Sequence, residues 1–286
     1  MKRLLVLLAA AACTPNFQSQ DQVVDLRILA VSAEPPEAQF DADGGAVDPV
    51  RITVLAVDGT RRTAPATLTA QLCQPTDTRL CDQGLSLPQG TLARDGGDEF
   101  SSTLAVPQPV LAQAAAANDL GAFNGIRVQY SFSVDDGDPH GAQSGDKIVI
   151  YSPRGGQPNQ NPRLTGLQLT KAGVPFLVAH DGDQIAFNSG EEIGVEPLLA
   201  DGARETYTTL DLRGDPVTLT EDPAYAFYTT PGAQFDNGTA NEPVDGGAPP
   251  QGLTRFQPFF GFGTFWVIVR DGRGGETWVT INWSVP

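Results

Sequence analysis

The run Ile126-Arg127-Val128-Gln129-Tyr130-Ser131-Phe132-Ser133-Val134 alternates apolar and polar side chains over nine positions. Only an extended chain sends successive side chains to opposite faces, so this pattern demands a strand with one face on a core and the other toward water. Shorter versions mark strands at Leu26–Val31, Arg51–Val57, Ala66–Cys73, Ser102–Val106 and Lys147–Ser152. Gly, Pro and Asp clusters separate them, as turns require. One segment breaks the rule. Gln108–Asn118 holds the core Val-Leu-Ala-Gln-Ala-Ala-Ala-Ala, which favours a short helix ended by Asn118 and Gly121. It reads as a crossover between strands.

At 286 residues the chain is longer than one typical domain. Residues Ser152–Pro162 carry three prolines and almost no apolar side chains, which marks a boundary. Strand patterns resume at Leu164–Thr170, Phe176–Ala179, Glu192–Leu199, Thr206–Leu212, Pro216–Thr220 and Ala224–Tyr228. After the Gly/Pro/Asn-rich stretch Pro231–Gly252, they close with Thr264–Arg270 and Glu276–Val285. A weak internal repeat relates the two parts. Ser133-Val134-Asp135-Asp136-Gly137-Asp138 matches Ile268-Val269-Arg270-Asp271-Gly272-Arg273, and the opening strands near Ile28 and Leu167 stand at a similar offset. The expected fold is all-β, with two tandem antiparallel β-sandwiches at residues 23–156 and 160–286.

The N-terminus carries an address. Lys2 and Arg3 precede Leu4–Ala12, an apolar run of about nine residues where a spanning helix needs roughly 20. This is a removable signal over residues 1–12. The small residues Ala11-Ala12 before Cys13 resemble the lipobox of bacterial lipoproteins, although Ala10 stands where that family usually has Leu. The resemblance implies lipid on Cys13, a membrane attachment through it, and a tether over residues 13–22. Thr14 lacks the Asp that retains such proteins at the inner membrane, so the implied location is the outer membrane. The other reading is ordinary cleavage among the alanines, with Cys13 a free thiol.

Two further resemblances join this one. Phe265-Trp266-Val267-Ile268-Val269-Arg270-Asp271-Gly272-Arg273-Gly274-Gly275 is similar to the closing hairpin of bacterial immunoglobulin-like and PKD-like domains, with their Val-x-Asp-x-x-Gly turn. Leu26–Glu37 resembles the mature start of envelope lipoproteins of soil bacteria such as myxobacteria. They imply sandwich domains in a cell envelope and transfer no catalytic residue.

Charge narrows the partners. The formal net charge is −16, and losing Lys2 and Arg3 lowers it by two more, to −18. Such a surface repels nucleic acid. Cys73 and Cys81 flank a Pro/Asp/Thr turn, so in an exported chain they read as a disulfide closing a small loop. Zinc is the alternative, but neither His140 nor His180 has ligand spacing to them.

Catalytic signals are sparse. Both histidines sit in turn sequences, and no nucleophile elbow, phosphate loop or metalloprotease helix occurs. The expectation is no enzyme; a hydrolase whose carboxylates meet only in the fold is the rival. Asp135, Asp136, Asp138 and Asp146 cluster about one inter-strand loop and are candidate Ca²⁺ ligands, without the full calcium-loop spacing. Asp-Gly pairs equally serve turns. A calcium-stiffened adhesion or spacer module is therefore a third reading. Six aromatics fall between Phe256 and Trp266. Strand alternation sends Phe265, Val267 and Val269 one way and Trp266 and Ile268 the other. Most are expected in a core or between domains, with Trp266 and Trp278 the candidates for exposure to a protein or glycan partner.

Overall fold

The computed structural model describes residues 20–41, 46–59, 67–73, 90–91, 93–94, 97–117, 125–135, 142–211, 213–241 and 254–286. The first part of the chain supplies nine strands: β1 (Leu26–Glu34), β2 (Glu37–Phe40), β3 (Val50–Asp58), β4 (Thr67–Cys73), β5 (Gly90–Thr91), β6 (Ala93–Arg94), β7 (Glu99–Leu104), β8 (Ile126–Asp135) and β9 (Gln143–Pro153). They form a sheet in the order β1-β3-β7-β6 and another in the order β2-β9-β8-β4-β5. One helix, α1 (Gln108–Ala117), crosses between β7 and β8 and turns Leu111 and Ala114 into the core.

The alternation in β8 is realised as a one-sided burial. Ile126, Val128, Tyr130, Phe132 and Val134 all enter a core shared with Ile52, Val54 and Ala56 of β3 and with Val149 and Tyr151 of β9. The two tyrosine hydroxyls meet there at 2.7 Å.

The second part supplies β10 (Leu164–Lys171), β11 (Val174–Ala179), β12 (Gln184–Ala186), β13 (Ile193–Leu199), β14 (Thr206–Leu210), β15 (Pro216–Thr220), β16 (Ala224–Thr229), β17 (Ala233–Phe235), β18 (Thr239–Asn241), β19 (Thr254–Pro258), β20 (Phe262–Arg270) and β21 (Glu276–Ser284). The sheets run β11-β10-β13-β19-β17 and β12-β21-β20-β16-β18, with β14-β15 a separate hairpin. Phe227, Phe235, Phe256 and Phe265 fill the space between them; Phe256 and Phe265 stand 4.8 Å apart, centroid to centroid. Tilted ring pairs of this kind add to the gain from burial.

The chain is therefore all-β, built of two antiparallel sandwiches in tandem. They share a plan. In each, a short early strand crosses to the other sheet and lies parallel to the closing strand: β2, directly after β1, beside β9, and β12, after the β10-β11 hairpin, beside β21. Of the residues that match in sequence, Ser133–Asp135 and Ile268–Arg270 hold equivalent places, at the ends of β8 and β20 before the closing strand. The β14-β15 hairpin is an insertion between β13 and β16.

A third cluster joins the sandwiches. Leu29 and Ala30 of β1, Leu55 and Val57 of β3, and Val23 meet Ala226 of β16 and Trp266 and Ile268 of β20. Because β3 and β20 are both buried on their two faces, odd and even positions alike are apolar in Val54–Val57 and Phe265–Val269. A register slip between Ile28 and Ala30 turns both Leu29 and Ala30 toward this joint.

Asp21 and Gln22 do not belong to a free tether. Asp21 is buried, its carboxylate accepts the Phe235 N–H, and the Gln22 amide donates to the Ala233 carbonyl, both on the second sandwich. A carboxylate aimed at a strand's backbone N–H holds the entering chain in place.

Candidate functional site

The expected binding residues are placed otherwise than the sequence led us to expect. Trp266 is buried at 2% exposure, because the outer face of β20 is covered by β1 and β3 of the first sandwich. Trp278 is half-buried in the same joint, and its indole N–H donates to Glu99 Oε1 at 2.8 Å. Trp266 is thus closed to a ligand, and Trp278 keeps only part of its surface open. The aromatic run instead splits: Phe256 and Phe265 are core, while Phe259, Phe260 and Phe262 stand exposed at the turn between β19 and β20.

The calcium candidates are likewise separated. Asp135 ends β8, while Asp146 lies opposite Ser131, four residues back along that strand, or about 13 Å. Asp146 accepts a 2.5 Å hydrogen bond from the Ser131 hydroxyl, so it does not close the loop after Asp135. Asp136 and Asp138 lie outside the described residues, as do Cys13 and Cys81; Cys73 is described only as backbone in β4. Among the described residues no three potential ligands converge to hold a metal. Asp181 and Asp183 act as turn residues: they accept the Thr280 and His180 backbone N–H groups.

What the fold assembles is a polar joint at the β20-β21 hairpin. Asp271 caps its turn by accepting the N–H groups of Arg273 (2.7 Å) and Gly275 (2.9 Å). Gly272 and Gly274 take positive φ angles of 81° and 112° that make this tight reversal accessible. The turn projects Arg273 between the two sandwiches. Its guanidinium meets Glu37 of the first sandwich at 3.3 Å, and Glu205 and Glu221 of the second at 3.2 Å each. It also lies 3.9 Å from the centroid of the Tyr207 ring.

Three carboxylates on one cation leave excess negative charge in a largely buried place. Burial pushes the Glu221 carboxyl above its usual range; Asp271 and Glu205 push the same way, against the Glu205 N–H and Arg273.

A second ionic node lies on the far side of the hairpin. Lys147 Nζ is 3.3 Å from Glu276 Oε2, Arg270 reaches Glu276 Oε1 at 2.6 Å, and Val31 N–H donates to Oε2. Burial lowers the Lys147 ammonium pKa, with Glu276 opposing it. The connecting segment completes the joint. Asn159 donates to Asp271 at 2.9 Å and its backbone N–H donates to Glu37; the Asn161 amide donates to the Ala33 carbonyl.

Beside the joint, β8, β9 and the β14-β15 hairpin enclose an open cleft of about 1040 Å³, lined by Arg127, Ile148, Ile150, Arg154, Tyr207 and Thr208. Arg154 is held by Asp41 and Asp48. The carboxylates gathered nearby are already engaged. Glu221 gives one oxygen to Arg273 and the other to the Glu205 N–H. Glu37 bonds Arg273 and the Asn159 N–H. An acid–base pair needs groups that can reach a substrate proton, and these carboxylates serve the joint.

The residues that make this joint, Arg273, Glu37, Glu205, Glu221, Lys147 and Glu276, were not singled out from the sequence. The one local signal is an arginine set between glycines in a tight hairpin, Asp271-Gly272-Arg273-Gly274-Gly275.

No family model matches the chain, and no curated protein does. Among solved structures it is similar to the N-terminal Ig1-2 module of the Drosophila receptor protein tyrosine phosphatase DLAR, at 11% identity over 92% of this chain and 99% of that one, TM-score 0.27. The two tandem V-type regions of a v-region-containing chitin binding protein match at 13% identity over 91% of this chain and all of that one, TM-score 0.27. Red sea bream transglutaminase matches at 12% identity and TM-score 0.30 over 92% of this chain, which spans about a third (32%) of that enzyme. Likenesses this distant assign neither family nor ligand.

Proposed function

We propose that the chain is a non-catalytic lipoprotein of the cell envelope, lipid-anchored through Cys13, whose two sandwiches act as one stiff structural or binding unit for a protein or glycan partner. The observation that carries this reading is the joint. An apolar patch centred on Trp266 and Ile268, flanked by Arg273 with three carboxylates and by Lys147 with Glu276, fixes one sandwich on the other. A fused interface of this kind suits a spacer or a rigid presenting surface. The open cleft beside it, with Arg127 and Tyr207 among apolar Ile148 and Ile150, offers stacking and hydrogen bonding to a sugar or peptide. The engagement of the nearby carboxylates supports binding over hydrolysis.

Metabolic labelling with palmitate, compared between wild type and Cys13→Ser, tests the anchor. Label on the wild type, lost in the variant together with release from the membrane fraction, is expected; an unlabelled wild type contradicts it. Co-sedimentation with isolated cell-wall polysaccharide, weakened by Tyr207→Ala, tests the cleft as a glycan surface.

A further inference from the structure

We infer that the turn joining β19 to β20, together with the start of β11, is a membrane-contacting pole that seats the second sandwich on the bilayer carrying the Cys13 lipid. This rests on the lipoprotein reading above and adds to it the orientation of the body.

Phe260 is 71% exposed and Phe262 66%, with Phe259 beside them at 37%. Single exposed apolar residues are ordinary, but three phenylalanines at one turn are not. The pole is wider than the turn. Lys171 ends β10 opposite Ile193, which in turn faces Phe256 near the end of β19, so β10 and β19 finish at the same end of their sheet. There Val174 (64%) and Phe176 (42%) of β11 are also exposed, and Lys171 Nζ stands 4.5 Å from the Phe176 ring centroid. Aromatic side chains with a polar rim, here Lys171 paired with Glu191 at 2.9 Å, match the chemistry of a bilayer interface, where the rings enter the acyl boundary and the charged groups stay at the headgroups.

The turn is held, not loose. Gly232 O accepts the Phe259 and Phe260 N–H groups, Ser189 bonds the Phe259 carbonyl, Gly190 N–H bonds the Pro258 carbonyl, and Val285 N–H bonds the Gly261 carbonyl. A rigid wedge loses little conformational entropy on insertion.

The start of the chain identifies the occupant. Gln22 donates to the Ala233 carbonyl, and the neighbouring Gly232 carbonyl holds Phe259 and Phe260. Gln22 therefore stands on the order of 10 Å from the Phe260 backbone. Six residues lie between Cys13 and Gln20, a span of at most about 25 Å however they run. A lipid on Cys13 therefore keeps the bilayer within about 40 Å of this pole. An apolar wedge adds to the hold of that lipid without calling on a basic patch, which a net charge of −16 disfavours.

The test uses the full lipidated chain on phosphatidylcholine vesicles, with intact-mass measurement first establishing the acyl groups. The Phe260→Trp variant should shift its emission to the blue and be quenched by lipids brominated near the headgroup. Leu210→Trp, on the hairpin at the opposite end of the second sandwich, should stay solvent-like. Changing Phe259, Phe260 and Phe262 together to Ser should lower vesicle partitioning on the order of tenfold or more, while changing all three to Leu retains it; unchanged melting of both shows that folding is intact. An acylated protein whose Phe260→Trp signal is unquenched, or whose serine variant partitions like wild type, overturns the inference and leaves the lipoprotein reading standing. Absence of the acyl mass removes the anchor, and both fall.

Discussion

Lys147, on the closing strand of the first sandwich, lies 3.3 Å from Glu276, at the start of the closing strand of the second, with both side chains less than 10% exposed. The pair is not symmetric. Glu276 also receives Arg270 and the Val31 N–H, whereas the only hydrogen-bonded carboxylate at Lys147 among the described residues is Glu276, with Asp271 acting on it through charge alone. Removing one member of a buried pair strands the other's charge. Glu276→Ala should therefore cost about 3–5 kcal/mol in a urea titration. Lys147→Met should cost far less, because Glu276 keeps its other donors. Equal losses would show that the pair, and not the node around Glu276, sets the energy.

Glu221 gives the joint a pH dependence. Its folded pKa is raised above the usual 4.5, chiefly by burial. Between 4.5 and that raised value the folded state holds more proton than the unfolded chain, so stability from this group falls as pH rises. It is fully present below 4.5 and lost as pH passes through the folded pKa. Glu221→Gln removes this slope. Urea midpoints measured from pH 4.5 toward neutrality should show wild type losing ground to the variant; a difference independent of pH contradicts this origin.

The Tyr130 and Tyr151 hydroxyls share one buried hydrogen bond of 2.7 Å. Tyr151→Phe leaves the Tyr130 hydroxyl without that partner and should cost about 1–3 kcal/mol, whereas changing both to Phe should be nearly neutral. Burial pushes Tyr130 up to about 12 and Tyr151 higher still. Two of the five tyrosines should then ionise only well above pH 10, read from absorbance near 295 nm on the folded protein. Uniform titration of all five near 10 contradicts the buried pair.

The sandwich architecture was legible because period-two burial is local. Ile126 to Val134 announce their strand and its inward face without help from distant residues, and the Ala-rich run of α1 announces the helix. Alternation alone points Trp266 outward, and the same strand holds the reason that it is buried instead. Phe265-Trp266-Val267-Ile268-Val269 has no polar face, and a strand without one is covered on both sides. Arg273 and its carboxylates were not legible, because Glu37, Glu205 and Glu221 come from three separated segments and only the packing of the sandwiches brings them together. The polar stretch around Asn159 reads from sequence only as a boundary; a buried asparagine with two specific partners carries no periodic signature.

Calcium should contribute little to stability. With Asp146 committed to Ser131 and about 13 Å from Asp135 along the ladder, thermal melting in EDTA and in millimolar Ca²⁺ should give the same midpoint. A rise of several degrees in Ca²⁺ would return the loop carboxylates to a binding role.

The joint should make one cooperative body of the two sandwiches. Calorimetry tests this most directly. Wild type should unfold in a single transition whose calorimetric and van't Hoff enthalpies agree, and replacing Trp266 and Ile268 by Ala should split it into two by removing the centre of the shared apolar cluster. Two independent transitions in the wild type, unchanged by the substitutions, would contradict it.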